Sequence, residues 1–109
     1  MSSYEVYFTT DFLRTYRKLT KRNNDLKQKI QSIIKILLNT PFCRGLKSHK
    51  VRTRKYKSRW SSRVTGDLRI IWDFNEDRTV IYLLTLGGHE GGGKVYDGVG
   101  EYSGEIVET

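Results

Sequence analysis

The spacing of apolar and polar positions changes twice along this chain. Residues 4–9, Tyr-Glu-Val-Tyr-Phe-Thr, are rich in aromatic and β-branched side chains and predict a strand. The period then lengthens to that of a helix. Phe12, Leu13, Tyr16 and Leu19 fall at i, i+1, i+4 and i+7, with Thr10 or Asp11 placed to cap the first turn. Lys21-Arg-Asn-Asn24 interrupts the pattern. Asn24 or Asn23 next opens a second helix, whose Leu26, Ile30, Ile33, Ile34, Leu37 and Leu38 share one face. Asn39-Thr-Pro41 ends it, because residues preceding proline avoid the α region. Two helices joined by so short a break predict an antiparallel helical hairpin.

Beyond Pro41 the period falls to two. Residues 45–57 carry Lys47, Lys50, Arg52, Arg54, Lys55 and Lys57, with His49 among them and only Leu46 and Val51 as aliphatics. This reads as a short strand and a mobile basic loop. Arg59–Val64 reads as a strand, Thr65-Gly-Asp67 as a turn and Leu68–Phe74 as its antiparallel partner. Asn75-Glu-Asp77 turns the chain again, into an apolar strand over Thr79–Leu86. The predicted fold class is α+β: an N-terminal strand, then a two-helix hairpin packed on a three- to four-stranded antiparallel sheet. Residues 87–100 hold seven of the ten glycines, and the last residues are acidic and sparse in apolar groups, as in a frayed tail.

Composition narrows the class. With 109 residues, 37% hydrophobic and 12% aromatic, the chain has material for one core and is not of a disordered type. No apolar run approaches the roughly 18 residues that span a bilayer, and Met1-Ser-Ser-Tyr-Glu-Val lacks the layout of a secretory signal. Cys43 is the only cysteine, which excludes an intrachain disulfide and argues against a structural zinc site. A cytoplasmic protein without membrane partner, metal or other cofactor is expected.

Charge adds a direction. Twenty Lys and Arg against twelve Asp and Glu give +8, and Asp97, Glu101, Glu105 and Glu108 stand in a final segment with no basic residue. Without those four charges, residues 1–96 carry +12. A small domain so basic meets polyanions more often than it merely keeps itself soluble. The division expected is a basic domain over 1–96 and an acidic C-terminal extension over 97–109.

Few residues are equipped for chemistry. Strand alternation sets Leu68, Ile70 and Trp72 on one face and Arg69, Ile71 and Asp73 on the other. A mid-strand arginine needs an anion. Either Asp67 or Asp73 supplies it, or a phosphate does, which guanidinium matches bidentately. Arg63 on the preceding strand can converge on the same place. His49 and His89 are the only histidines, and imidazole is the side chain best suited to proton transfer near neutral pH, although a lone histidine is more often structural. Gly91-Gly-Gly-Lys94 lacks the spacing of a phosphate-binding loop, and no Cys/His or Ser/His/Asp arrangement can be read from spacing.

Several words of the sequence are more specific: Leu46-Lys-Ser-His49-Lys50, Trp60-Ser-Ser-Arg63-Val64, Gly66-Asp-Leu-Arg69-Ile-Ile-Trp72, Leu86-Gly-Gly-His89 and Val95-Tyr96. In their order, between a strand with a helical hairpin and a meander, they resemble the RelE/ParE superfamily of bacterial toxins over about residues 4–96. The resemblance is greatest to ribosome-dependent endoribonucleases of the RelE, YoeB and YafQ type. It implies the toxin of a type II toxin–antitoxin system, cleaving mRNA in the ribosomal A site without a metal, with a cognate antitoxin, the ribosome and mRNA as partners. By the same resemblance Arg69 stabilises the phosphorane, and His89 and His49 are the proton-transfer groups. Lys47, Lys50 and Arg63 hold RNA phosphates, and Tyr96 stacks on or orients a base. One departure is plain: family members usually pass from the histidine to the Val-Tyr pair within about four residues, whereas Tyr96 lies seven after His89. Two other readings compete. A ParE-like gyrase inhibitor would cleave nothing and generally lacks the histidine pair; a non-catalytic basic RNA-binding module would need only the charge.

Overall fold

The computed structural model describes residues 4–53, 56–88 and 106–108. Its elements are β1 (Glu5–Thr9), α1 (Thr10–Thr20), α2 (Asn24–Asn39), a 3₁₀ turn (Arg44–Leu46), β2 (His49–Thr53), β3 (Lys57–Arg63), β4 (Leu68–Phe74), β5 (Val80–Gly88) and β6 (Ile106–Glu108). Both helices begin where a side-chain oxygen satisfies an orphan N–H. The Asn23 Oδ1 accepts from the Leu26 N–H at 3.0 Å. The first cap is Thr9 rather than Thr10 or Asp11: its hydroxyl accepts from the Phe12 N–H at 3.0 Å and donates to the Leu84 carbonyl at 2.6 Å. One hydroxyl thus starts α1 and fixes it to the sheet. No helix among the described residues is long and apolar enough to cross a membrane.

The α+β class and the helical hairpin on one sheet are as the sequence predicts, but the sheet is wider than a meander. Its order is β2-β3-β4-β5-β1-β6. Strands β2 to β5 run antiparallel, and β1 lies parallel to β5 with Tyr7 opposite Tyr82, so the sheet is mixed. The expected four-stranded antiparallel sheet is present as β2 to β5, and the N-terminal strand extends it for a physical reason. The backbone of β1 needs a partner, α1 starts immediately after it, and the free edge of β5 is what remains. The short strand expected in the basic stretch is residues 49–53, which pair along their whole length with β3. One element departs from the sequence reading: Ile106–Glu108, in the end expected to fray, pairs antiparallel with Tyr7–Thr9.

The principal core lies between the helices and one face of the sheet, where Phe12, Ile30, Ile33, Leu37, Ile70, Trp72, Ile81 and Leu83 are buried. Burial of each such side chain stabilises by about 1.5–3 kcal/mol. A second, smaller cluster lies on the other face: Tyr56, Ile71 and Leu84, flanked by Val51 and Tyr82. A bulge beside Ile71 and Trp72 creates it, since Ile71 faces Thr85 while Trp72 faces Leu83, leaving Leu84 as the extra residue. Tyr56 ties this cluster to α1 by donating its hydroxyl to the buried Asp11 carboxylate at 2.5 Å. The helix-free face is therefore stapled at one end.

Candidate active site

The other end of that face carries the candidate residues. In β3 and β4, Arg63 stands directly opposite Arg69. Side chains so paired share a face, and two like charges there repel unless an anion lies between them. Arg69 is half-buried, and its Nε has no hydrogen-bond partner among the described residues. Neither aspartate serves it. Asp73 accepts from Arg59 Nη1 at 2.9 Å, and the same arginine is fixed by its Nε on the Tyr56 carbonyl at 2.7 Å. Asp67 is exposed in the β3–β4 turn and forms no ion pair among the described residues. The open alternative between carboxylate and phosphate is thereby narrowed. The structure holds one buried guanidinium nitrogen, Arg69 Nε, with no acceptor among the described residues.

One row along the same face, β2 sets His49 opposite Ser61, which faces Ile71 across β4. Strand geometry puts the Cα atoms of His49 and Arg69 roughly 12 Å apart, two strands across and two residues along. An arginine and an imidazole can reach one phosphate from that separation. His49 is exposed, and its Nδ1 lies 2.9 Å from the Lys47 carbonyl oxygen. A carbonyl only accepts, so neutral His49 carries its proton on Nδ1 and keeps the Nε2 lone pair free. Lys47 can aim its carbonyl this way because it closes the 3₁₀ turn in the left-handed region, at φ 51°.

Five of the seven expected site residues have a place among the described residues. Arg69, Arg63 and His49 come together on one face, and Lys47 serves His49 through its backbone while its own side chain is exposed. Lys50 does not join them. It lies opposite Trp60, on the helix-side face, with Nζ 5.0 Å from the indole centroid. Strand β5 ends beside the arginine pair, with Gly87 opposite Arg69 and Gly88 opposite Leu68. His89 and Tyr96 lie outside the described residues.

Sequence reasoning missed a support beneath the site. Trp72 Nε1 donates to the Ser62 hydroxyl at 2.7 Å, Ser62 and Ser48 share a hydrogen bond at 2.6 Å, and Ser48 donates to the Pro41 carbonyl at 2.6 Å. This chain connects β4, β3 and the segment leading into β2, next to Arg63 and His49. Its signal was present in Trp60-Ser-Ser-Arg63, where a serine alternates in phase with a core tryptophan. Among the described residues, no three His, Cys, Asp or Glu side chains gather as metal ligands.

The backbone arrangement is shared with solved structures. A YoeB/ParE toxin from Agrobacterium tumefaciens superposes with a TM-score of 0.66 at 17% identity, over 79% of this chain and 99% of that one. RelE in the archaeal RelE–RelB complex from Pyrococcus horikoshii gives 0.62 at 22% identity, over 80% and 96%. The fold is that of the RelE/ParE toxins. YafQ from E. coli aligns with a TM-score of 0.61 at 15% identity, over 79% of this chain and 93% of its own. The sequence itself matches no protein-family model and no curated protein. At these identities the RelE/ParE likeness is one of fold, and the side chains must argue for themselves.

Proposed function

We propose that this chain is the toxin of a type II toxin–antitoxin system and acts as a ribosome-dependent endoribonuclease on mRNA. The observation that carries the reading is the partly buried Arg69, its Nε without a partner among the described residues, opposite Arg63 on the same sheet face as a histidine whose Nδ1 is turned to a carbonyl. Two arginines opposite each other on neighbouring strands form a site suited to an anion, and the nearby base gives that anion a reaction. His49 Nε2 takes the proton of a ribose 2′-OH. The resulting oxygen attacks the adjacent phosphorus, and Arg69 and Arg63 stabilise the charge on the pentavalent phosphorane. The 5′-oxygen leaves with a proton, leaving a 2′,3′-cyclic phosphate upstream and a 5′-hydroxyl downstream. By resemblance the proton donor is His89, and Tyr96 orients a base.

The neighbouring folds include RelE with RelB, YoeB with YefM and YafQ with DinJ, each solved as a complex. A cognate antitoxin is the corresponding partner for this chain, and the cytoplasm, where ribosomes translate, is its place of action. Primer extension on mRNA from cells expressing the chain tests the reading. New 5′ ends within translated frames are expected, and they disappear in Arg69→Ala. Unbroken transcripts in cells whose growth is arrested would overturn it.

A further inference from the structure

The helix-side face carries an aromatic surface that the proposed reaction does not use. Phe42, just past α2, is 48% exposed although its ring lies 4.8 Å edge-on from Trp60 and 6.0 Å from the buried Trp72. Trp60 and Trp72 stack at 5.9 Å, and Phe74 meets Trp72 edge-to-face at 5.1 Å. A cation sits at each end: Lys50 Nζ 5.0 Å from the Trp60 centroid and the Arg78 guanidinium 4.5 Å from that of Phe74. Neither forms an ion pair among the described residues, and Asp77, beside Arg78, is bound to Asn75 and Thr79. On the far side of Phe42 a hollow of about 520 Å³ opens between Tyr4, Thr40 and Arg78.

We propose that Phe42 and Trp60, with Lys50, form a stacking subsite for a nucleobase of single-stranded RNA flanking the cleaved linkage. The inference deepens the nuclease reading and rests on it for the identity of the strand. Aromatic faces with cations at their rims are how proteins hold unpaired bases and their phosphates. An acidic protein segment could match the cations, yet it would leave the exposed Phe42 ring without a flat partner. The topology supplies the path. Strand β2 is the sheet edge, and consecutive residues on it, His49 and Lys50, face opposite sides. A strand whose phosphate lies at Arg69 and His49 therefore reaches Lys50 and Trp60 by rounding a single edge strand.

The test is a titration of the full chain with a six-nucleotide RNA carrying 2′-O-methyl groups throughout, which cannot be cut. Indole N–H resonances of Trp60 and Trp72 are followed by NMR. Binding is expected to shift Trp60, to weaken roughly tenfold in Phe42→Leu, and to persist in Phe42→Trp, which keeps a stacking ring. Lys50→Gln is expected to weaken binding and flatten its salt dependence. The proposal is overturned if the oligonucleotide leaves Trp60 unmoved, including the case in which only a protein partner moves it. Equal affinity of Lys50→Gln and the parent also overturns it, and that variant stays informative should Phe42→Leu unfold. Cleavage is not read, so failure of the nuclease reading appears separately, in the ribosomal assay.

Discussion

Replacing Arg69 with methionine should make the free protein more stable while abolishing its activity. Methionine keeps an unbranched stem in the same groove but removes the guanidinium, whose Nε is buried without a partner among the described residues. Relief of an unsatisfied buried donor is worth about 1–3 kcal/mol. Removing the like charge opposite Arg63 adds about 0.2–1 kcal/mol. Against these stands only partial solvent contact, since Arg69 is half-buried and part of its charge is already hydrated. The net gain expected is about 1 kcal/mol in urea unfolding at low ionic strength, or a rise in Tm of roughly 4 °C. The repulsive share should fade near 1 M salt, where screening acts over about 3 Å, and the burial share should remain. Phosphate at matched ionic strength should stabilise the parent and not Arg69→Met, because only the parent offers the anion site. If Arg69→Met unfolds at lower urea than the parent at low salt, then Arg69 has a structural partner, and the idea of a site strained toward an anion is wrong.

Two other predictions concern how the site is held. Thr9→Val removes both the cap of α1 and its bond to Leu84, and should cost about 1–2 kcal/mol in urea unfolding; a loss below 0.3 kcal/mol would show that the cap is not needed. Tyr56→Phe removes a hydrogen bond from the buried Asp11 carboxylate, whose ion pair among the described residues is with the exposed Arg14 at 3.6 Å, and should cost about 1.5–3 kcal/mol, with Asp11→Asn in the same background recovering part of the loss. No recovery in that double variant would mean that Tyr56 acts by packing alone.

Local features were the ones legible in the sequence. The alternation in Leu68–Phe74 placed Arg69, Ile71 and Asp73 on one face, and the structure agrees because a period of two leaves no other choice once Trp72 is core. The α1 cap lies one or two residues earlier than the spacing predicts, since Thr9, Thr10 and Asp11 are all good capping types and only contact with Leu84 selects the first. Pairing of β1 with β5 joins residues about 75 positions apart and leaves no trace in local spacing. The same holds for Arg59, which takes Asp73 and so leaves Arg69 without it. Lys50 could not be assigned a face while the register of β2 was unknown. A single step along that strand separates it from His49, and the alternation sends the two to opposite sides.

Central to the account is a reaction at the Arg63–Arg69 pair with His49 as base. The most direct measurement incubates the purified chain with ribosomes stalled on a defined mRNA and identifies the new ends by mass spectrometry. The predicted result is one cut in the A-site codon, with a 2′,3′-cyclic phosphate upstream and a 5′-hydroxyl downstream. Single-turnover rates should fall about 10²–10⁴-fold in His49→Gln, and no cut should be detectable in Arg69→Ala. Intact mRNA with the wild-type chain bound to the ribosome would contradict it, as would full-rate cleavage by both variants.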